Sequence, residues 1–173
     1  MIIGIFNNNG FTLVQAAASD LAKEFDKQDF MGFFLLGMKF FGLITRFVNG
    51  SCCVRVAHTK RMAIVSVFTF FSFVAISYAC SHNTNPKMFN VAISASIFTG
   101  IAQSFGEAVY LGFLKGFPSD LIGDVSTGTG VSGILATFTL FLAKWVNLSN
   151  QHLFLIEAPT MVIYYLSFKW LDT

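Results

Sequence analysis

Few side chains in this sequence are able to do chemistry, and most of them interrupt long apolar runs. Glu107 lies in Thr99-Gly-Ile-Ala-Gln-Ser-Phe-Gly-Glu-Ala-Val-Tyr110, where Ser96, Thr99, Gln103, Glu107 and Tyr110 recur at three- and four-residue steps. On a helix that spacing puts all five on one face. Such a stripe lines a watery path, where a carboxyl exchanges protons, or it faces the bundle interior and fixes packing. Lys39 stands roughly 13 Å from the nearer end of its apolar run, too deep for easy snorkelling. Its ammonium suits an anionic solute group such as a carboxylate or phosphate, or a structural ion pair. Both readings stay open. Glu107 is at a different depth from Lys39, and Glu157 in the last apolar run matches it better. Arg46, near an interface, is expected to snorkel.

Two further stretches are polar within apolar surroundings. Ser126-Thr-Gly-Thr-Gly-Val-Ser-Gly133 lacks the Lys-Ser/Thr of a phosphate loop. Its glycines, with Gly106, are expected to let helix backbones approach: Gly106, Gly128, Gly130 and Gly133. The hydroxyls of Ser126, Thr127 and Thr129 are candidates to face a solute. Asn7-Asn8-Asn9-Gly10 places three amides in a row, and lipid tolerates none of them unpaired. At least one should turn inward. Asn8 either bonds a solute or locks helices.

No arrangement suits enzymatic catalysis, a metal or another cofactor. The three histidines show no ligand spacing, and no nucleophile is paired with a base. Three cysteines form no disulfide framework. Cys52 and Cys53 beside Arg55 fit palmitoylation, though two small residues ending a helix is the reading the sequence favours. The sequons at Asn49 and Asn147 are expected to stay unmodified. One lies on the expected cytosolic side and the other in a very short loop.

The elements that must position these groups follow from composition. Only 12% of the 173 residues are charged against 54% hydrophobic, and 22 are Phe. A soluble domain carries roughly a quarter charged residues. The chain is therefore expected to be an all-α membrane protein, lying in the bilayer and binding no nucleic acid. Six spans are expected, at about 1–18, 30–53, 62–80, 88–114, 125–146 and 153–170, in one membrane domain over 1–173. Short loops force neighbours antiparallel. Arg46, Arg55, Lys60, Arg61, Lys115 and Lys169 fall on one side, against Lys23, Lys27, Lys87 and Lys144. The positive-inside bias puts both termini in the cytosol.

Ser104-Phe-Gly-Glu-Ala-Val-Tyr-Leu-Gly-Phe-Leu114, then Phe117-Pro118, then Ser126-Thr-Gly-Thr-Gly-Val-Ser-Gly-Ile-Leu135, resembles the battenin family. Asn7-Asn8, Ala17-Ala18-Ser19-Asp20, Lys39 and Pro159 also fall where that family has such residues. The resemblance implies a lysosomal, vacuolar or endosomal membrane transporter with a major-facilitator-like fold, of which this six-helix bundle is one half. It implies export of small solutes, glycerophosphodiesters or basic amino acids, and a part in organellar pH balance. Glu157 departs from the family, where an apolar residue or glycine is expected. Transporters of this kind bind solute between two six-helix halves, so a second half is expected, as another copy or a separate chain. The competing reading is a membrane scaffold or regulatory subunit that transports nothing. Transport requires Lys39, Gln103 and Glu107 to face a common cavity, whereas a scaffold neutralises them inside the bundle.

Overall fold

Each apolar run folds as a helix, because an element in hydrocarbon must close its own backbone hydrogen bonds. The structure, a computed structural model, describes residues 1–53 and 55–172. Their order is α1 (Ile2–Glu24), a 3-10 turn (Gln28–Phe30), α2 (Met31–Cys52), α3 (His58–Ser81), α4 (Pro86–Leu114), α5 (Ser119–Trp145), α6 (Asn150–Glu157) and α7 (Thr160–Leu171). No strand occurs among the described residues.

Four helical stretches are long and apolar enough to cross a membrane: Gln28–Cys52, His58–Ser81, Pro86–Leu114 and Ser119–Trp145. The first and last expected spans differ from these. α1 is long, but its asparagines and Asp20, Lys23 and Glu24 dilute its apolar character. The last expected span is two helices, broken at Ala158-Pro159. Proline has no N–H to donate and its ring crowds the preceding turn, which ends α6.

Local chemistry fixes the ends. α4 opens with Asn85, whose side chain accepts from the Lys87 N–H, and Pro86 occupies the first turn. α1 and α5 close alike. Lys27 N–H donates to the Ala22 carbonyl and Asp26 N–H to that of Lys23; Leu148 and Asn147 donate to Ala143 and Lys144. Asp26 and Asn147 hold φ of 53° and 55°, the left-handed conformation this paired-bond ending requires. Asp26→Gly removes about 1 kcal/mol of that strain. Its thermal midpoint is expected to rise by about 2–4 °C, measured in detergent by a thermal-shift assay. No rise would place the strain elsewhere.

α1 lies most extensively along α5, and α2 along α4. α3 packs on α4 and on both pieces of the broken pair, while α4 also meets α1. Glycines make the α1–α5 and α2–α4 crossings. A Cβ on Gly128 would overlap the Met1 carbonyl, and one on Gly4 the carbonyl of Val125. A Cβ on Gly100 would overlap the Met38 backbone, and one on Gly42 the Ser104 hydroxyl. Backbones this close gain dispersion contacts that replace the hydrophobic drive missing in lipid. Gly106 faces the Asn7 amide and the Tyr164 hydroxyl. At Gly130 and Gly133 no heavy atom of the described residues comes within 4 Å of the Cβ position, so neither packs on a helix of this bundle. They lie off the α5 face that α1 covers.

The third helix also starts ahead of its expected span, which opened at residue 62. α3 starts at His58, so Arg61 is inside a helix and buried, donating to the Asn49 side chain of α2 at 3.0 Å. Outward surfaces are aromatic and aliphatic, with Phe33, Phe40 and Phe47 at seven-residue spacing along α2. They suit acyl chains.

Candidate solute pathway

The three consecutive amides of α1 point in three directions, because successive helical residues are about 100° apart. Asn7 accepts from the Tyr164 hydroxyl of α7 at 2.6 Å and donates to the Gln103 carbonyl of α4 at 3.3 Å. Asn8 donates to Ser132 Oγ at 2.8 Å and to the Thr129 carbonyl at 3.2 Å, both on α5. Asn9 donates to Glu157 Oε1 at the end of α6. All three amides turn inward, and together they fasten α1 to α4, α5, α6 and α7.

From Asn8 the network runs outward. Gln103 Nε2 donates to Asn8 Oδ1 at 3.4 Å and to Glu107 Oε2 at 3.1 Å. Ser104 Oγ donates to Gln103 Oε1 at 3.2 Å. Glu107 also accepts from Arg46 of α2, in an ion pair whose arginine side chain is 50% exposed and whose glutamate is 24% exposed. Arg46 was expected to snorkel; it reaches the carboxylate of α4 instead, so that each charge is offset by the other.

Not all of the α4 stripe joins this path. Ser96 and Thr99 are fully buried and return their hydroxyls to the carbonyls of Ala92 and Ala95. Lys39 is exposed and has no hydrogen bond or ion pair among the described residues. It precedes Arg46 by two helical turns, so the two cations share one flank of α2, about 10 Å apart. Neither Glu107 nor Glu157 pairs with it. On α5, Ser126 and Thr127 are exposed, and Thr127 bonds the Gly123 carbonyl behind it. Thr129 spends its hydroxyl on Val125 and contributes its carbonyl to Asn8. Asn8, Gln103, Glu107 and Arg46 are thus brought together, with Lys39 along the same helix flank; Thr127 stands apart.

The sequence matches the CLN3 protein family over residues 1–173. The chain belongs to that family. Battenin of Dictyostelium discoideum is 34% identical over 166 residues, which cover 96% of this chain and 38% of the relative. The chain therefore spans well under half the length of that curated relative. No solved structure matches. Family and apolar helices together make this a multi-pass membrane protein.

Two features of this CLN3-family chain escaped the sequence reading. One is Arg46, whose role needed the α2–α4 crossing to be known. The other is an internal echo. Gly4-Ile-Phe-Asn-Asn-Asn-Gly10 and Gly100-Ile-Ala-Gln-Ser-Phe-Gly106 share the order Gly-Ile-x-amide-x-x-Gly. The echo is structural as well, since Gly4 meets α5 closely and Gly100 meets α2. Asn7 and Gln103 then hold equivalent places and bond each other. A search for self-similarity between the first and fourth apolar runs would have found it.

Proposed function

We propose that the chain is the solute-binding half of a battenin-like transporter in a lysosomal or vacuolar membrane. In this reading a second six-helix half completes it, and both termini are cytosolic. The α1 and α7 ends support an even number of crossings, since Met1 and Ile2 share a groove with Trp170 and Leu171. The crossing pattern supports a half-transporter: α1 on α5 and α2 on α4 are related as two copies of a three-helix unit, as inverted repeats require. The chain's share of its relative's length leaves room for the other half.

The observation that carries the functional reading is the α2 flank, where Lys39 has no partner among the described residues and Arg46 meets Glu107. Two cations spaced along one flank, one already held by an acid, suit an anionic solute that exchanges places with a carboxylate. Glycerophosphodiesters fit that chemistry better than basic amino acids, which both cations repel. Ser126 and the amides supply hydrogen-bond partners for the glycerol hydroxyls.

The test is counterflow in vesicles containing the complete gene product, with labelled glycerophosphodiester and labelled arginine compared. Lys39→Gln is expected to weaken glycerophosphodiester exchange about tenfold, equivalent to about 1.4 kcal/mol. Equal exchange by Lys39→Gln and wild type would remove Lys39 from the site. Exchange of arginine alone would reassign the substrate class, and exchange of neither would favour a scaffold.

A further inference from the structure

Glu157 takes no part in the flank just described, and its setting is unusual. It is the last residue of α6, two residues before the Pro159 break ends, and only 6% of it is exposed. Oε1 accepts from Asn9 Nδ2 at 2.5 Å and from Thr160 Oγ1 at 3.3 Å. Oε2 has no hydrogen-bond partner among the described residues. The Asn9 carbonyl oxygen, Oδ1, is likewise buried without one.

Among the described residues no cation pairs with the carboxylate. α6 packs against α1, α3 and α7. The charged groups of α1, Asp20, Lys23 and Glu24, lie more than ten residues beyond Asn9, roughly 16 Å along the helix. Asp20 is paired with Lys144, and Glu24 accepts from Asn150. On α3, His58, Lys60 and Arg61 sit at its first turn, with Arg61 engaged by Asn49. On α7, Lys169 is about 18 Å along the chain axis from Glu157. Tyr164 gives its hydroxyl to Asn7, and Tyr165 is half-buried a turn from the break. On α6 itself His152 is exposed beside Ser149.

We infer that Glu157 is a proton-binding site, distinct from the Glu107–Arg46 pair, in which one proton joins Glu157 to the Asn9 amide as an acid–amide ring. The cluster holds two acceptors with no donor among the described residues, Glu157 Oε2 and the buried Asn9 Oδ1. A proton taken from hydronium onto Oε2 supplies one: the new O–H donates to Asn9 Oδ1 while Asn9 Nδ2 still donates to Oε1. The same proton removes an uncompensated charge from a site with only neutral partners. Loss of the proton leaves a buried anion and an orphan acceptor, which loosens α1 from the α6–α7 break. Asn8 is the next residue on α1 and bonds Gln103, so the state of Glu157 reaches the solute flank through one helix. The coupling role rests on the transporter reading above; the proton site itself does not.

Two arms separate them. Infrared difference spectra of the full chain in lipid vesicles, acid minus neutral, are expected to show a carboxylic-acid carbonyl band. That band disappears in Glu157→Gln, persists in Glu107→Gln, and moves to a different titration midpoint in Asn9→Ala. A band unchanged by Glu157→Gln overturns the proton site. In the second arm, Glu157→Gln imitates the protonated pair and keeps the Asn9 bond. It is expected to retain solute exchange while losing at least about tenfold of the acceleration given by a pH gradient. Full gradient response in Glu157→Gln overturns the coupling role. If wild type moves no solute, the transporter reading falls while the infrared result still decides the site.

Discussion

Glu107→Gln is expected to cut solute efflux by about tenfold or more while the protein stays folded. Glutamine keeps the hydrogen bond from Gln103 but loses the charge that holds Arg46. A hydrogen bond to a charged group contributes about 1.5–3 kcal/mol, and the half-exposed arginine argues for the lower end. Each 1.4 kcal/mol is about tenfold in rate. The carboxylate is more than a counter-ion. A guanidinium binds carboxylate and phosphate with the same planar fork, so under the proposed function an arriving phosphodiester would compete with Glu107 for Arg46. Release of the solute then depends on Glu107 returning. Without that acid, Arg46 either holds the solute too long or is left bare in the site. Arg46→Gln is expected to fail differently, through weakened binding, and so to raise the half-saturating concentration more than it lowers the maximal rate. The double variant Glu107→Gln/Arg46→Gln should regain the stability of wild type without its transport. Efflux unchanged in Glu107→Gln would exclude the pair from the pathway.

Much of this arrangement is written in residue types, and the part that is not has a physical reason. The apolar runs locate the helices because charge is excluded from long buried segments. The stripe of Gln103, Glu107 and Tyr110 announces an inward face because its spacing matches the helical repeat. The triple asparagine announces burial, since three amides against lipid are untenable. None of these signals names a partner. Arg46 pairs with Glu107 only because Gly42 and Gly100 bring α2 onto α4 at that depth, and crossings between distant segments leave no periodicity in either one. The same limit applies to the glycines. Gly128, Gly130 and Gly133 read alike in sequence, yet only Gly128 has a neighbour at its Cβ position within the chain. Helix phase separates them, and the phase depends on where α1 lies. The break at Pro159 was visible as a residue, but a proline in an apolar run either kinks or ends a helix. Here it ends one: α6 stops at Glu157 and α7 starts afresh at Thr160.

That difference among glycines yields the second large effect. Gly100→Leu and Gly128→Leu each drive a side chain into backbone, at Met38 and Met1 respectively. Overpacking costs about 1–3 kcal/mol when side chains yield, and backbone yields less. Both variants are expected to lose most folded protein, seen as loss of the monodisperse peak in detergent chromatography. Gly130→Leu meets open space and replaces a poor helix former, which favours the helix by up to about 1 kcal/mol. Its bundle should fold as well as wild type or better. Yet Gly130 shares a flank of α5 with Ser126, Gly133 and Thr137, a small and hydroxylic strip edged by the exposed Ile134 and Phe141. A lipid-facing wall has no need of small residues, whereas a wall that closes on a second bundle does. Gly130→Leu is therefore expected to fold normally and to abolish transport by the complete protein. A folded Gly130→Leu with full transport would show that this flank faces lipid, and the partner half would have to dock elsewhere.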